Sequence, residues 1–271
     1  MNLSGALLKL SAWRIQLPLL GLGGFLYVSH SLNSGFTREA VRLGLANWAF
    51  AQLLYLADAY AAPDEDSFND TALPEAGVPV PLLAAGLIAT AAYIFSFEGQ
   101  WVFPVFGGLL IGLYSAPALG KFRLKNYAVP KVLINSALFT AAVVLSPAVQ
   151  RYGLSAAVLG SAAVSGLVIF AAALGLTILL DVRDAAGDAA AGIRTLPVIL
   201  GELPCAAAVA LAAAGGAALA FKGGHSLGAL FSLAVGAFAA FSPGKGRAYF
   251  EGWLAALNLL LLGSLALKAV R

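Results

Sequence analysis

Apolar residues run along this chain in long, nearly uninterrupted blocks separated by short polar breaks. A helix needs about 20 mostly apolar residues to cross the hydrocarbon core of a bilayer. Nine blocks meet that length, at roughly 13–32, 40–62, 79–97, 101–118, 130–149, 154–180, 203–221, 225–242 and 250–269. They are rich in Ala, Leu and Gly and lack the period-two alternation of a membrane barrel strand. The pattern predicts an all-α, polytopic membrane protein, a bundle of nine transmembrane helices. No polar stretch is long enough for a soluble domain, so residues 1–271 read as one unit. The first block is too long for a cleavable signal peptide and has no small-residue cleavage site behind it. It is expected to stay as a span.

Composition sharpens this. Of the 271 residues 61% are hydrophobic and 11% charged, against about 25% charged in an average soluble chain. Thirteen acids and sixteen bases cannot cover a water-facing surface of this size, so most of the surface must face lipid. One Cys excludes an internal disulfide and a Cys-based metal cluster. A net charge of +3 is too small to suggest nucleic-acid binding.

The charges are unevenly placed. Putting the N-terminus and the even-numbered loops on one side gathers ten of the sixteen Lys and Arg residues there. The positive-inside bias makes that side cytoplasmic, in a bacterium the inner face of the inner membrane. Eleven of the thirteen acids fall on the same side, and only Glu39 and Glu98 lie opposite. Acids barely influence insertion, so their bias points to cation binding at one membrane face.

Three segments on that face carry candidate chemistry. The first is Asp181-Val-Arg-Asp184-Ala-Ala-Gly-Asp188, followed by a turn at Gly192, then Arg194-Thr195-Leu-Pro197 and Gly201. Residues i, i+3 and i+7 share a helix face, so Asp181, Asp184 and Asp188 form a stripe where an apolar span meets the boundary. Three like charges at this spacing repel unless a cation sits among them, and carboxylate oxygens suit Mg²⁺. The second segment runs from Asp58, which ends an apolar span and is costly there without a partner, through Asp64, Glu65 and Asp66 to Asn69 and Asp70. Pro63 kinks that helix or starts a new one. The third is basic: Tyr114-Ser115-Ala-Pro117, then Lys121, Arg123, Lys125 and Lys131, with Asn135 one turn further on. Such a run can meet a phosphate-bearing ligand or anchor anionic lipid. Sharing a face with both acid clusters favours the ligand. Elsewhere, Asn47 lies inside the second span, where it lines a cavity or bonds a neighbouring helix. His30 and His225 read as interfacial residues.

These residues resemble the UbiA-type intramembrane prenyltransferase superfamily over essentially the whole chain. Asp181 to Gly201 is similar to that family's second aspartate-rich motif with its trailing Gly-x-x-Thr-Leu-Pro-Val-x-x-Gly. Tyr114-Ser115-x-Pro117 with Lys121, Arg123, Lys125 and Asn135 is similar to its Tyr-Ser-x-Pro and basic loop. The first motif departs from the pattern: with Asp66 taken as its last Asp, Asp58 stands in the place of Asn, and Ala59 and Ala62 in the places of two aspartates.

The resemblance implies a nine-helix bundle around a lipid-accessible central cavity. It implies that Mg²⁺, held by Asp58, Asp64, Asp66, Asp181, Asp184 and Asp188, binds the diphosphate of an isoprenyl donor whose tail lies between helices. Lys121, Arg123, Lys125, Lys131, Arg194, Asn135 and Asn47 would contact substrate, with Tyr114, Lys121, Asp181 and Asp184 at the reacting centre. Ionisation of the allylic C–O bond would give a carbocation captured by a hydrophobic, aromatic or lipid-like acceptor. Two alternatives keep the fold: an intramembrane terpene cyclase, or a non-catalytic lipid-binding relative with an eroded first aspartate motif.

Overall fold

A computed structural model describes residues 15–33, 35–61, 79–115 and 124–270. Within them the chain is helical apart from short connections, and the single β-type pairing is an isolated parallel bridge between Tyr127 and Arg194. In chain order the helices are α1 (Gln16–Asn33), α2 (Arg38–Ala61), α3 (Val80–Phe95), α4 (Val102–Ser115), α5 (Ala128–Thr140), α6 (Ser146–Tyr152), α7 (Ala156–Ala190), α8 (Leu196–Leu200), α9 (Glu202–Lys222), α10 (Ser226–Ala240) and α11 (Arg247–Val270). A 3₁₀ turn, Leu124–Asn126, leads into α5, and a π turn, Ala141–Leu145, joins α5 to α6 as one rod. The rods coincide with the apolar blocks of the sequence to within a few residues, except that α7 runs on beyond its block to Ala190.

Among the described residues four stretches are long and apolar enough to cross a bilayer: Ala128–Tyr152, Ala162–Ala190, Glu202–Lys222 and Arg247–Ala269. Val80–Phe95, Val102–Tyr114 and Ser226–Ala240 are shorter apolar helices. Large apolar side chains stand outward, with Phe221 77% and Leu211 75% exposed. A water-facing surface could not carry them in such numbers, whereas lipid is their ordinary solvent. This is an integral membrane protein built of helices.

The core is assembled from α1, α7, α9, α10 and α11. Leu20, Leu176, Leu179, Val209, Val235, Phe238, Leu254 and Leu257 are buried together. Phe238 stacks on Trp253 with ring centroids 5.6 Å apart and meets Phe250 edge-on at 5.5 Å, geometries that aromatic quadrupoles favour. A second cluster packs Val28 of α1 against Val143, Val144, Ala148, Val149, Val158 and Ala162. A third joins α1 to α2 and α3 through Phe25, Leu43, Ala46 and Ile94. The first helix therefore touches all three.

Pro147 cannot donate a backbone hydrogen bond, which a straight helix would require at that position. The chain answers with the π turn, in which Ser146 N–H reaches back to the Ala141 carbonyl, a known way of absorbing such a defect. Gln100, fully buried beside the start of α4, donates from Nε2 to the Ser146 carbonyl at 3.0 Å. Ser146 Oγ in turn donates to Gln100 Oε1 at 2.7 Å and accepts from Asn47 Nδ2 at 3.0 Å. One residue of α2, one before α4 and one of α6 are thereby tied together.

Helix contact in lipid relies on close approach of small residues. At Gly24 an added Cβ would lie 2.8 Å from Val143 Cγ1, and a β-branched neighbour has little rotamer freedom to retreat. We expect Gly24→Ala to cost about 1–3 kcal/mol, read as a lower melting temperature in detergent. Gly215→Ala, whose Cβ would meet nothing within 4 Å, should be neutral or stabilising by up to about 1 kcal/mol. Equal melting of the two variants would refute the tight α1 contact.

Candidate active site

Helix α7 has 35 residues, which at 1.5 Å per residue makes it about 52 Å long. That exceeds the roughly 30 Å hydrocarbon core, so one end passes beyond it. Asp181, Asp184 and Asp188 sit on the last turns. The helix stops at Gly192, whose φ of +73° is the left-handed conformation glycine adopts freely. Ile193 N–H bonds the Asp188 carbonyl at 2.8 Å and Gly192 N–H the Ala189 carbonyl at 3.2 Å, the paired bonds of a Schellman cap. This cap turns the chain so that Arg194 pairs with Tyr127, the residue just ahead of α5.

Packed on α7, the start of α5 brings Lys131, the last member of the basic segment, against the acidic helix. Lys131, in the first turn of α5, places its Nζ 2.7 Å from Asp181 Oδ1 and 3.7 Å from Asp188 Oδ2. Both carboxylates are buried, at 4% and 3% exposure. The cation that the stripe demands on electrostatic grounds is, in this structure, an ammonium of the protein itself. Asp181 Oδ2 remains buried without a hydrogen-bond partner.

One turn along α5, Asn135 Nδ2 donates to the Tyr114 hydroxyl oxygen at 3.1 Å. Because the amide is the donor, the phenol keeps its own O–H for another acceptor. Lys131, Asp58 and Asp181 all lie within electrostatic reach of that hydroxyl. Residues from α2, α4, α5 and α7 thus converge at one end of the bundle.

Beneath them is a cavity of about 350 Å³. Its walls are apolar side chains of α1, α2, α4 and α5, among them Leu17, Phe25, Leu54, Phe103, Phe106 and Phe139. Asp58, Tyr114 and Asn135 stand at its polar end, and Asn47 lines it further down. Along α2 it extends from Gly44 to Asp58, about 21 Å at the helical rise. Asn47 fills both roles its sequence position allowed, facing the cavity and bonding Ser146.

Asp184 has a different setting from its two neighbours. Arg183 grips it through two hydrogen bonds, Nε to Oδ1 at 2.8 Å and Nη2 to Oδ2 at 2.7 Å. The same guanidinium donates from Nη1 to Glu251 Oε1 at 2.8 Å. Glu251 is 1% exposed, accepts from Gln16 Nε2 at 2.9 Å and has Arg247 at 3.8 Å. This second ionic cluster joins α1, α7 and α11. In the sequence Glu251 and Arg247 figure only in the count of charges on one face, and Gln16 not at all, although a Glu at the head of an apolar span is a signal in itself.

Asp64, Asp66, Lys121 and Arg123 lie outside the described residues. Lys125 is in the turn Leu124–Asn126, its side chain likewise outside them, and Arg194 is exposed at the bridge to Tyr127. Among the described residues no three His, Cys, Asp or Glu side chains form a metal-holding group. The donor type still fits Mg²⁺: carboxylate oxygens, with Asp181 Oδ2 buried and unbonded.

No family profile and no curated protein sequence matches the chain. A solved structure of a digeranylgeranylglyceryl phosphate synthase does match, with a TM-score of 0.61 at 15% identity, covering 97% of this chain and 98% of that one. The chain has the fold of a UbiA-type intramembrane prenyltransferase.

Removing one member of a buried ion pair strands the other charge, at about 3–5 kcal/mol. Arg183→Met, which takes the bidentate donor from Asp184 and one ion-pair partner from Glu251, is expected to lose stability of that order in chemical denaturation in micelles. Glu251→Gln, which keeps the bond to Gln16, should lose clearly less. The reverse ranking would overturn the bolt drawn here between α7 and α11.

Proposed function

We propose that this protein transfers an isoprenyl group from an isoprenyl diphosphate to a hydrophobic acceptor, aromatic or lipid-like, inside the membrane. The observation that carries the reading is a buried cluster of acid, base and phenol at the polar end of a long apolar cavity. An amphiphile with an anionic head and a greasy tail matches both halves at once. The fold shared with a membrane prenyltransferase supports the same class of chemistry. In this reading the whole chain is one unit of nine spans. Its N-terminus and site loops face the cytoplasm, as the Lys and Arg count favours.

Each group then has a task. The cavity walls hold the tail extended and keep water from the reacting carbon, so that an allylic cation survives until the acceptor captures it. The Tyr114 O–H, oriented by Asn135, donates to an oxygen of the leaving diphosphate. Lys131 and the basic residues Lys121, Arg123, Lys125 and Arg194 attract that anion and stabilise it as the C–O bond breaks. Asp181, Asp188 and Asp58, with Asp64, Asp66 and Asp184, are the carboxylates that would hold Mg²⁺. When bound, the ion would offset charge developing on the diphosphate.

A second reading, a binding protein that does not turn over, is favoured by Ala59 and Ala62 in the first acidic stretch and by the Lys131 ammonium seated between Asp181 and Asp188. Diphosphate release separates the two. Purified protein with Mg²⁺, isoprenyl diphosphates of graded length and candidate acceptors should release inorganic diphosphate and yield a prenylated product by mass spectrometry. Asp181→Asn should lower that rate on the order of a hundredfold or more, and chelating the metal should abolish it. Tight donor binding without release, across many acceptors, would support the second reading instead. Product formed with no acceptor added would indicate cyclisation.

A further inference from the structure

The reading just given requires a divalent ion near carboxylates that, in this structure, already have a counter-ion. Asp181 and Asp188 lie seven residues apart, on one face of α7, and Lys131 Nζ sits between them at 2.7 and 3.7 Å. Mg²⁺ binds oxygen at about 2.0–2.1 Å, so an ion bridging this pair would need the space the ammonium occupies. Two cations cannot share so enclosed a site, because their repulsion there is weakly screened. The ammonium and an ion bridging Asp181 and Asp188 are therefore mutually exclusive.

Lys131 also has somewhere to go. Its charge sits on a flexible four-carbon stem in the first turn of α5, one turn from Asn135, with the Tyr114 hydroxyl within electrostatic reach. These two polar groups stand at the cavity end where an anionic head group would lie. A diphosphate arriving there gives the ammonium a new anion and frees the acid pair.

We propose that Lys131 is a built-in counter-ion, holding Asp181 and Asp188 while the diphosphate is absent and yielding them to the divalent ion once the diphosphate takes the ammonium over. The proposal rests on the prenyl-transfer reading of the site. It makes Lys131 a substrate-contacting residue that also couples metal binding to donor binding, and that coupling is reciprocal. Without donor, the protein opposes its own metal.

Mn²⁺, a paramagnetic stand-in for Mg²⁺, tests this by titration of the full chain in lipid nanodiscs without any diphosphate. Lys131→Met should bind Mn²⁺ roughly 5- to 150-fold more tightly than the wild type, the usual range of such couplings. Lys131→Arg, which keeps the charge, should stay near the wild type. Adding Asp181→Asn to Lys131→Met should erase the gain, and Lys245→Gln, removing an exposed cation between α10 and α11, should produce none. If Lys131→Met is too unstable to isolate alone, Mn²⁺ during purification should restore a folded, cooperatively melting protein. Unchanged or weaker affinity, an equal gain in Lys245→Gln, or no rescue by Mn²⁺ would overturn the proposal. A wild type that releases no diphosphate would refute transfer while leaving the titration readable. A flat titration would refute the counter-ion role and leave transfer standing.

Discussion

A charge inside a membrane protein must find a partner of opposite sign, because neither lipid nor packed side chains can solvate it. Helix α7 shows how far this demand organises the structure. Asp181 and Asp188 face Lys131 of α5, while Arg183 holds Asp184 and engages Glu251 of α11 and, through it, Gln16 of α1. A helix held by ionic contacts to separate neighbours cannot rotate about its axis without stranding charges. Apolar packing alone tolerates such rotation, since one greasy face resembles another in lipid. The rotational setting of α7, and with it the direction in which Asp181 points, follows from pairing more than from hydrophobic contact.

The same constraint explains why the cavity stays open. Its walls are apolar, and nothing in lipid drives such walls together with the force that closes a soluble core. The hydrogen-bonded set of Asn47, Gln100 and Ser146 fixes the register of α2, the chain entering α4 and the α5–α6 rod, beside the π turn that Pro147 makes necessary. Close glycine contact at Gly24 then lets α1 fit against that turn. A chamber with one polar end results, suited to a molecule whose two ends differ as strongly as its own.

Legibility followed from how local each signal was. The helices were readable because a span of about 20 apolar residues has few alternatives in lipid. The turn after Asp188 was readable as well, since Gly192 follows a run of small residues and supplies the positive φ the cap uses. The acid stripe was legible as a shared helix face but not in its pairing. Helical spacing groups Asp184 with Asp181 and Asp188, whereas the Arg183 guanidinium draws Asp184 into another cluster. Glu251 was absorbed into a loop count, because its neighbours in sequence reveal nothing of Gln16 and Arg183 at its oxygens.

By itself, the sequence determined that this chain lives in a membrane and is built of apolar helices, and it led to the expectation that acids and bases collect at one face. Each of these depends on residues close together in the chain or on composition as a whole. The tertiary structure alone decided which base meets which acid: Lys131 lies about fifty residues from Asp181, and the packing of α5 on α7, with the bridge from Tyr127 to Arg194 beside it, makes them neighbours. It also decided that a cavity lies beneath them, because a void belongs to several helices at once and no single segment encodes it. Chemistry at this site depends on charges brought within a few ångströms, and that distance is a property of packing.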